Sequence, residues 1–272
     1  MAKLSLIGAG RMAEALISGI LSGATLAPDD ILAADVNEDR LRLINQRYSV
    51  ATTTDSLHAA QAAEYILLSV KPQQIDEVVS ALKPALTPQK TVISIAAGVS
   101  VARLQALAGP GVPIVRVMPN APALVNRGMS AAALPPGLAD EKKSFVDRLL
   151  RSAGEVIYVD EDLIDAVTAV SGSGPAYFFL FVRELAEAGV DAGLTREMAL
   201  TLARQTFIGS AALLSETERS EDELIQAVAS PGGTTEAALG VFASSDFKNI
   251  ISRAVRAALD RAGELADFTR LG

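Results

Sequence analysis

Apolar residues in the first 160 positions fall in short blocks, separated by stretches whose apolar positions recur every three or four residues. Seven blocks predict strands: LSLI (4–7), ILAAD (31–35), YILLSV (65–70), TVISIA (91–96), IVRVM (114–118), MSAAA (129–133) and EVIYV (155–159). Between them, RMAEALISGILSG has the period of an amphipathic helix; further helices are expected to begin at Pro72 and to be capped by Ser100 and by Asp140. Such alternation predicts a mostly parallel sheet covered on both faces. After about residue 160 the strand blocks stop. DEDLIDAVTAVSG, PAYFFLFVRELAEAG, TREMALTLARQTFIGSAALL and SEDELIQAVA all carry a 3.6-residue period. Thr195 is an expected N-cap, Ser220 and Glu223 form an expected capping box, and a long helix over 245–267 closes the pattern.

Half of the 272 residues are apolar, enough for a large core and two domains. Runs such as ILLSV and AYFFLFV are about a third of a bilayer span or less, so no membrane is an expected partner. The opening MAKLSLIGAG predicts a first strand, since no small-residue cleavage site follows an apolar region of signal length. With no cysteine and His58 as the lone histidine, a disulfide framework, a thiolate nucleophile and a His-rich metal site are excluded, and no metal is expected. Cytoplasmic residence is the default expectation. Residues 1–160 carry fifteen acidic and fifteen basic side chains, whereas 161–272 carry seventeen and nine. A phosphate-tracking protein needs a basic face, so nucleic acid is not an expected partner.

LSLIGAGRMA places Gly8, Gly10 and Ala13 after a strand and at the opening of a helix, the G-x-G-x-x-A form of the dinucleotide fingerprint. Gly8, Ala9, Gly10, Arg11, Met12 and Ala13 are the candidate cofactor loop. The second strand block ends in Asp35, twenty-five residues after Gly10. A carboxylate there bonds the adenosine ribose of NAD(H), or else caps the next helix. Against a strict NAD(H) preference stand Arg11 and Arg40, either of which could meet a 2′-phosphate. The expected cofactor is therefore NADPH or NADH. The expected fold is an α/β Rossmann-type dinucleotide-binding domain over 1–160 followed by an all-α helical domain over 161–272.

Alcohol oxidation needs a side chain to take the hydroxyl proton. Between Lys143 and Lys248 the chain has no Lys and no His, and the helical part has one tyrosine, Tyr177. A β-hydroxyacid dehydrogenase would place a Lys four residues after the Gly-rich junction; in SGSGPAYFF the residue four after Gly174 is Phe178. A C=N substrate removes the difficulty, because a protonated imine is already electrophilic at carbon and neutral polar groups suffice to position it. The chain offers such groups in SGSGPAY and in SPGGTTEAAL (230–239). Ser230, Thr234 and Thr235 are helix-start residue types, Pro231, Gly232 and Gly233 permit an unusual backbone path, and bare amides at a helix start bind anions. On these residues alone, a capped turn and an anion site both remain open.

IGAGRMA, SVKP (69–72), SIAAGV (94–99), MPNAPALV (118–125), DAVTAVSGSGPAY (165–177) and SPGGTTEAAL together resemble the pyrroline-5-carboxylate reductases, from the first strand past residue 240. The resemblance implies reduction of 1-pyrroline-5-carboxylate to L-proline by NADPH or NADH, the last step of proline synthesis. It implies that Ser230, Gly232, Gly233 and Thr234 surround the substrate carboxylate at the helix start, and that the Thr235 hydroxyl faces the ring nitrogen as the catalytic group. Val70, Lys71, Pro72, Ala96, Ala97 and Asn120 fall to the nicotinamide half, Lys71 through its side chain or its backbone alone. Ser56 is placed on the adenosine side or as a helix cap. Ser173, with Ser171, Gly172 and Gly174, is open between substrate contact and close helix packing, and Tyr177, Phe178, Phe179 and Phe181 between core and subunit interface. Two departures stand out: Arg11 where the family often has Asn, which bears on cofactor preference, and Ala121 where it often has Thr, which bears on a local hydrogen bond. A homodimer, or a ring of dimers built by the helical domain, is the expected assembly. The competing readings are a reductase of another cyclic imine, a β-hydroxyacid dehydrogenase with a different base, and a non-catalytic dinucleotide-binding sensor.

Overall fold

The protein is described from a computed structural model covering residues 2–268. Its first compact unit runs to Ser173 and takes in the chain again from Ala258; the second is Gly174–Ala257. The first unit holds an eight-stranded sheet of β1 (Ala2–Ile7), β2 (Ile31–Ala34), β3 (Ala51–Thr53), β4 (Ala63–Leu68), β5 (Thr91–Ser94), β6 (Ile114–Met118), β7 (Gly128–Ala133) and β8 (Gly154–Tyr158). Their order is 3-2-1-4-5-6-7-8, parallel throughout except where β7 runs against β6. Seven strands follow the predicted blocks, and the mostly parallel sheet agrees with the pattern. The eighth, β3, is a three-residue edge strand whose half-exposed threonines carry no apolar block.

Helices α1 (Arg11–Ser22), α2 (Glu38–Tyr48) and α6 (Asp140–Arg151) cover one face of the sheet; α3 (Ser56–Gln61), α4 (Ile75–Leu82) and α5 (Val101–Ala108) cover the other. The strand period sorts side chains between two cores. On β4, Tyr65 and Leu67 join Leu16, Ile20 and Phe145, whereas Ile66 and Leu68 join Ile75, Val79 and Leu104. Tyr65 stacks on Phe145 with ring centroids 3.7 Å apart. Burial pushes the Tyr65 hydroxyl well above its ordinary pKa.

Several helix starts differ from expectation by a residue or a turn. Ser100 caps α5 as predicted, accepting the Arg103 amide at 3.2 Å. Asp140 does not cap α6: Ala139 holds that position, and Asp140 lies in the first turn, where its charge still favours the helix dipole. The helix expected at Pro72 opens as a 3-10 turn, Pro72–Gln74, before α4.

After β8 the chain turns through a 3-10 segment (Glu161–Leu163), the short α7 (Ile164–Val167) and one turn of π-helix (Thr168–Gly172). The second unit is helical: α8 (Gly174–Asp191), α9 (Arg196–Glu216), α10 (Glu221–Val228), α11 (Thr234–Ser244) and α12 (Phe247–Phe268), whose last turns belong to the first unit. Thr195 caps α9, and Ser220 with Glu223 forms the predicted capping box on α10. Among the described residues one helical run, Glu161–Asp191, is long and apolar enough by length and composition to cross a membrane. Unbroken apolar blocks did not reveal it, because small Ser, Thr and Gly residues interrupt them without adding charge.

Candidate functional site

β1, β2, β4, β5 and β6 are mutually parallel, so their C-terminal ends share one edge of the sheet, and the order reverses direction between β1 and β4. Ligands of open α/β sheets bind at such a switch point. Gly8, just past β1, has φ +94° and donates its amide to Ala34 O at 2.8 Å. A Cβ there would lie 2.8 Å from the Ser69 carbonyl oxygen, so only glycine fits. Gly10 is the N-cap of α1, and a Cβ there would meet nothing within 4 Å. No side chain caps α1, and the amides of Arg11, Met12 and Ala13 have no acceptor within the helix. Uncapped amides beside an open glycine face fit a pyrophosphate. Buried Ala13 closes the contact of helix and sheet.

Long-range bonds hold this loop in shape. Asp35, one residue beyond β2, accepts the Ala9 amide at 2.7 Å on one oxygen and the Asn37 amide at 2.9 Å on the other. Asn37, not Asp35, caps α2. The Arg40 guanidinium donates to the carbonyls of Ala9 and Gly10 and pairs with Glu14. Glu14 also accepts from Arg47 at 2.9 Å and from the Tyr48 hydroxyl at 3.2 Å. Burial alone would raise the Glu14 pKa; the bonds and charge of Arg40, with Tyr48 and Arg47, outweigh it and hold the carboxyl below its ordinary value. Ser69 completes the frame by donating its hydroxyl to Gly8 O at 2.5 Å. The sequence pattern did not single out Glu14 or Ser69, and Arg40 figured there only as a candidate phosphate ligand.

The nicotinamide-side candidates gather at the same edge. Val70, Lys71 and Pro72 lie past the end of β4, in the loop to α4, with Lys71 exposed. Val70 packs where a Gly8 side chain would go. Ala96 and Ala97 follow β5, the first buried and the second half-buried. Asn120 follows β6, and its amide is engaged by the protein: Oδ1 accepts the Met129 amide at 2.8 Å, while Nδ2 donates to Ser171 Oγ at 3.2 Å and Ser171 O at 3.3 Å. Asn120 thus ties the sheet to the π-turn that ends at Ser173, whose amide bonds Thr168 O at 2.8 Å. Such turns recur at functional sites. Beneath them Arg116, 5% exposed on β6, pairs with Glu161 at 3.3 Å and Asp165 at 3.1 Å. Ser56 opens α3 but does not cap it; Asp55 does, accepting the His58 amide at 2.9 Å.

In the second unit Ser230, Gly232, Gly233, Thr234 and Thr235 form the turn into α11. Gly232 has φ +72°, and the Gly233 amide donates to Ser230 O at 2.9 Å. Gly233 is the N-cap and no side chain caps the helix, so Ser230, Thr234 and Thr235 do not act as caps. The first-turn amides, including those of Thr234 and Thr235, therefore have no acceptor within the helix. Thr235 is half-buried, Ser230 and Thr234 exposed. One amide is already taken: Glu236 accepts from Gly232 at 2.6 Å. Among the described residues no group of three or more His, Cys, Asp or Glu side chains is placed to hold a metal ion.

Residues 161–265 match the family model for pyrroline-5-carboxylate reductase dimerisation, and residues 3–98 match the model for coenzyme F420-dependent NADP oxidoreductases. A pyrroline-5-carboxylate reductase of Corynebacterium melassecola is 41% identical over 268 residues, covering 97% of this chain and 99% of that protein. The solved structure of a pyrroline-5-carboxylate reductase from Coxiella burnetii superposes with a TM-score of 0.93 at 37% identity, over 97% of this chain and 98% of that one. The pyrroline carboxylate reductase of Plasmodium falciparum, solved with NADP bound, gives 0.86 at 29% identity over the same shares. A glycine loop shaped for a dinucleotide and an uncapped helix start in the helical unit thus occur in a sequence alike over nearly its whole length to these reductases, and the chain belongs to the pyrroline-5-carboxylate reductase family.

Proposed function

We propose that this chain reduces 1-pyrroline-5-carboxylate to L-proline with NADPH or NADH. The observation that carries the reading is likeness over 97% of the chain to proteins of that name, spanning both units. The bound dinucleotide supplies the hydride. The free amides of Arg11, Met12 and Ala13 would hold its pyrophosphate on a loop shaped by Gly8, Ala9 and Gly10, Asp35 and Ser56 would meet its adenosine half, and Val70, Lys71, Pro72, Ala96 and Ala97 would border the nicotinamide. Asn120 acts through Ser171 by fixing the π-turn that leads into Ser173. In the second unit the free amides at the start of α11 take the substrate carboxylate, with Ser230, Gly232, Gly233 and Thr234 shaping the turn. Glu236 holds that turn through Gly232. The Thr235 hydroxyl donates to the neutral imine nitrogen or accepts from its protonated form, which suits a reaction that removes charge from that nitrogen.

The helical unit also carries the assembly. Phe178, Phe179, Phe181, Leu202 and Ile208 are each at least 45% exposed, in the stretch matched by the dimerisation model. A second copy covering this face gives a homodimer, and dimers joined through the same unit give a ring; cytoplasmic residence is part of the same proposal. Steady oxidation of NADH or NADPH on adding 1-pyrroline-5-carboxylate, with little on adding simple cyclic imines or 3-hydroxy acids, is the expected result. Cofactor binding without turnover would favour a non-catalytic sensor and defeat the proposal.

A further inference from the structure

We infer that this chain prefers NADH to NADPH, with Asp35 as the discriminating residue and Arg40 withdrawn from phosphate recognition. The inference rests on assigning the 8–13 loop to the dinucleotide. Where the turn after the second strand carries a free Arg, a Rossmann site accommodates a 2′-phosphate; where it carries a carboxylate, the ribose hydroxyls bond to it. Here the turn carries Asp35, half-buried and aimed at the loop, as its bond to the Ala9 amide fixes. Each Asp35 oxygen accepts one backbone amide, which leaves each with a second acceptor direction for a ribose hydroxyl.

Two of the cations near this turn are paired within the protein. Arg40, on the first turn of α2, bonds the carbonyls of Ala9 and Gly10 and pairs with Glu14, so its charge is met from below the loop. Arg42 is paired with Asp39. The start of α2 adds Glu38 to the negative charge of Asp35, while Asp39 and Arg42 offset one another. Val36, next to Asp35, is 85% exposed and offers neither charge nor hydroxyl. A 2′-phosphate would thus enter a turn of like charge. Arg11 is exposed at the first position of α1, beside the amides assigned to the pyrophosphate, so the proposal gives its charge to the part shared by both cofactors and its substitution tests that assignment.

Calorimetric titration of the intact protein with NADH and with NADPH tests this without the imine. The expected result is a Kd for NADH at least about tenfold below that for NADPH. Val36→Arg, at a position exposed to solvent, should narrow the gap by tightening NADPH alone. Asp35→Ser should weaken NADH by a larger factor than NADPH, since the lost bond to the Ala9 amide loosens a loop that serves both cofactors, with a melting curve run beside it to separate loss of fold. Arg11→Ala should weaken both cofactors by the same factor. Equal or tighter NADPH binding by the unmodified protein, or selective loss of NADPH in Arg11→Ala, would overturn the inference while leaving the reductase reading intact. Binding of neither cofactor would overturn both.

Discussion

Alanine at Gly8 and at Gly10 should separate the two tasks of the fingerprint glycines. At Gly8, φ is +94°, in the positive region that costs an L-residue about 1–2 kcal/mol. The new Cβ would lie 2.8 Å from the Ser69 carbonyl oxygen and 2.9 Å from its carbon. Ser69 is pinned, its amide bonding Ile7 O at 2.9 Å and its hydroxyl bonding Gly8 O. Overpacking against fixed backbone adds about 1–3 kcal/mol. Alanine's stiffer unfolded chain returns about 0.4–1 kcal/mol. The net loss is about 1–4.6 kcal/mol, or about 2–18 °C in Tm for a unit of this size. At Gly10, φ is −66° and a Cβ meets nothing within 4 Å, so Gly10→Ala should leave stability unchanged to within about 0.5 kcal/mol. The added methyl would occupy the face that a pyrophosphate approaches, weakening NAD(P)H by about ten- to a hundredfold. Thermal melts and calorimetric titrations of both variants read the two effects separately. Wild-type cofactor affinity in Gly10→Ala, or a wild-type melt in Gly8→Ala, would refute the reasoning.

Thr235→Val removes a hydroxyl but keeps the shape, and should lower kcat/KM by about ten- to a hundredfold while calorimetry finds NAD(P)H affinity unchanged; full activity would mean that another group meets the ring nitrogen. The folded Glu14 carboxyl lies below its ordinary value of 4.5, so its stabilisation is complete above that pH and is lost as pH falls through the folded value. Melts of Glu14→Gln should therefore lie below wild type at pH 7 and approach it as pH falls below 4.5; a gap that widens on acidification would contradict this. Arg116→Met leaves Glu161 and Asp165 without their shared cation and should cost about 3 kcal/mol in denaturant unfolding, which an unchanged midpoint would disprove. Light scattering at micromolar concentration should give the mass of at least two chains, and a one-chain mass would remove the interface assigned to α8 and α9.

The fold was legible where burial writes itself into composition. Ile66 and Leu68 face one core and Tyr65 and Leu67 the other, so β4 needs an unbroken apolar run, and such runs marked seven strands. β3 escaped because an edge strand pairing only Leu32, Ala33 and Ala34 needs three permissive residues and no apolar block. The start of α6 was misplaced by one residue because a carboxylate is favourable both as a cap and in the first turn, so Asp140 satisfies either reading.

The site was legible to the extent that its chemistry is local. Gly8 and Gly10 carry their meaning in their spacing, and the helix start after Gly233 is announced by its own residues. The charges around the loop were visible too, but not their partners, because each partnership spans a fold-dependent distance. Asp35 meets an amide 26 residues away, Arg40 a carbonyl 31 residues away and a carboxylate 26 residues away. In the sequence Arg40 is a free cation beside a nucleotide loop, and a phosphate is its natural ligand. In the fold α1 and α2 lie side by side, and Glu14 reaches that cation first. An arginine already bonded to Glu14 and to two loop carbonyls has less to gain from a phosphate, since the phosphate must displace a carboxylate held in place by Arg47 and Tyr48. The residue that sequence reading offers as evidence for NADPH thus becomes, through one helix-to-helix contact, part of the frame that leaves Asp35 to choose the cofactor.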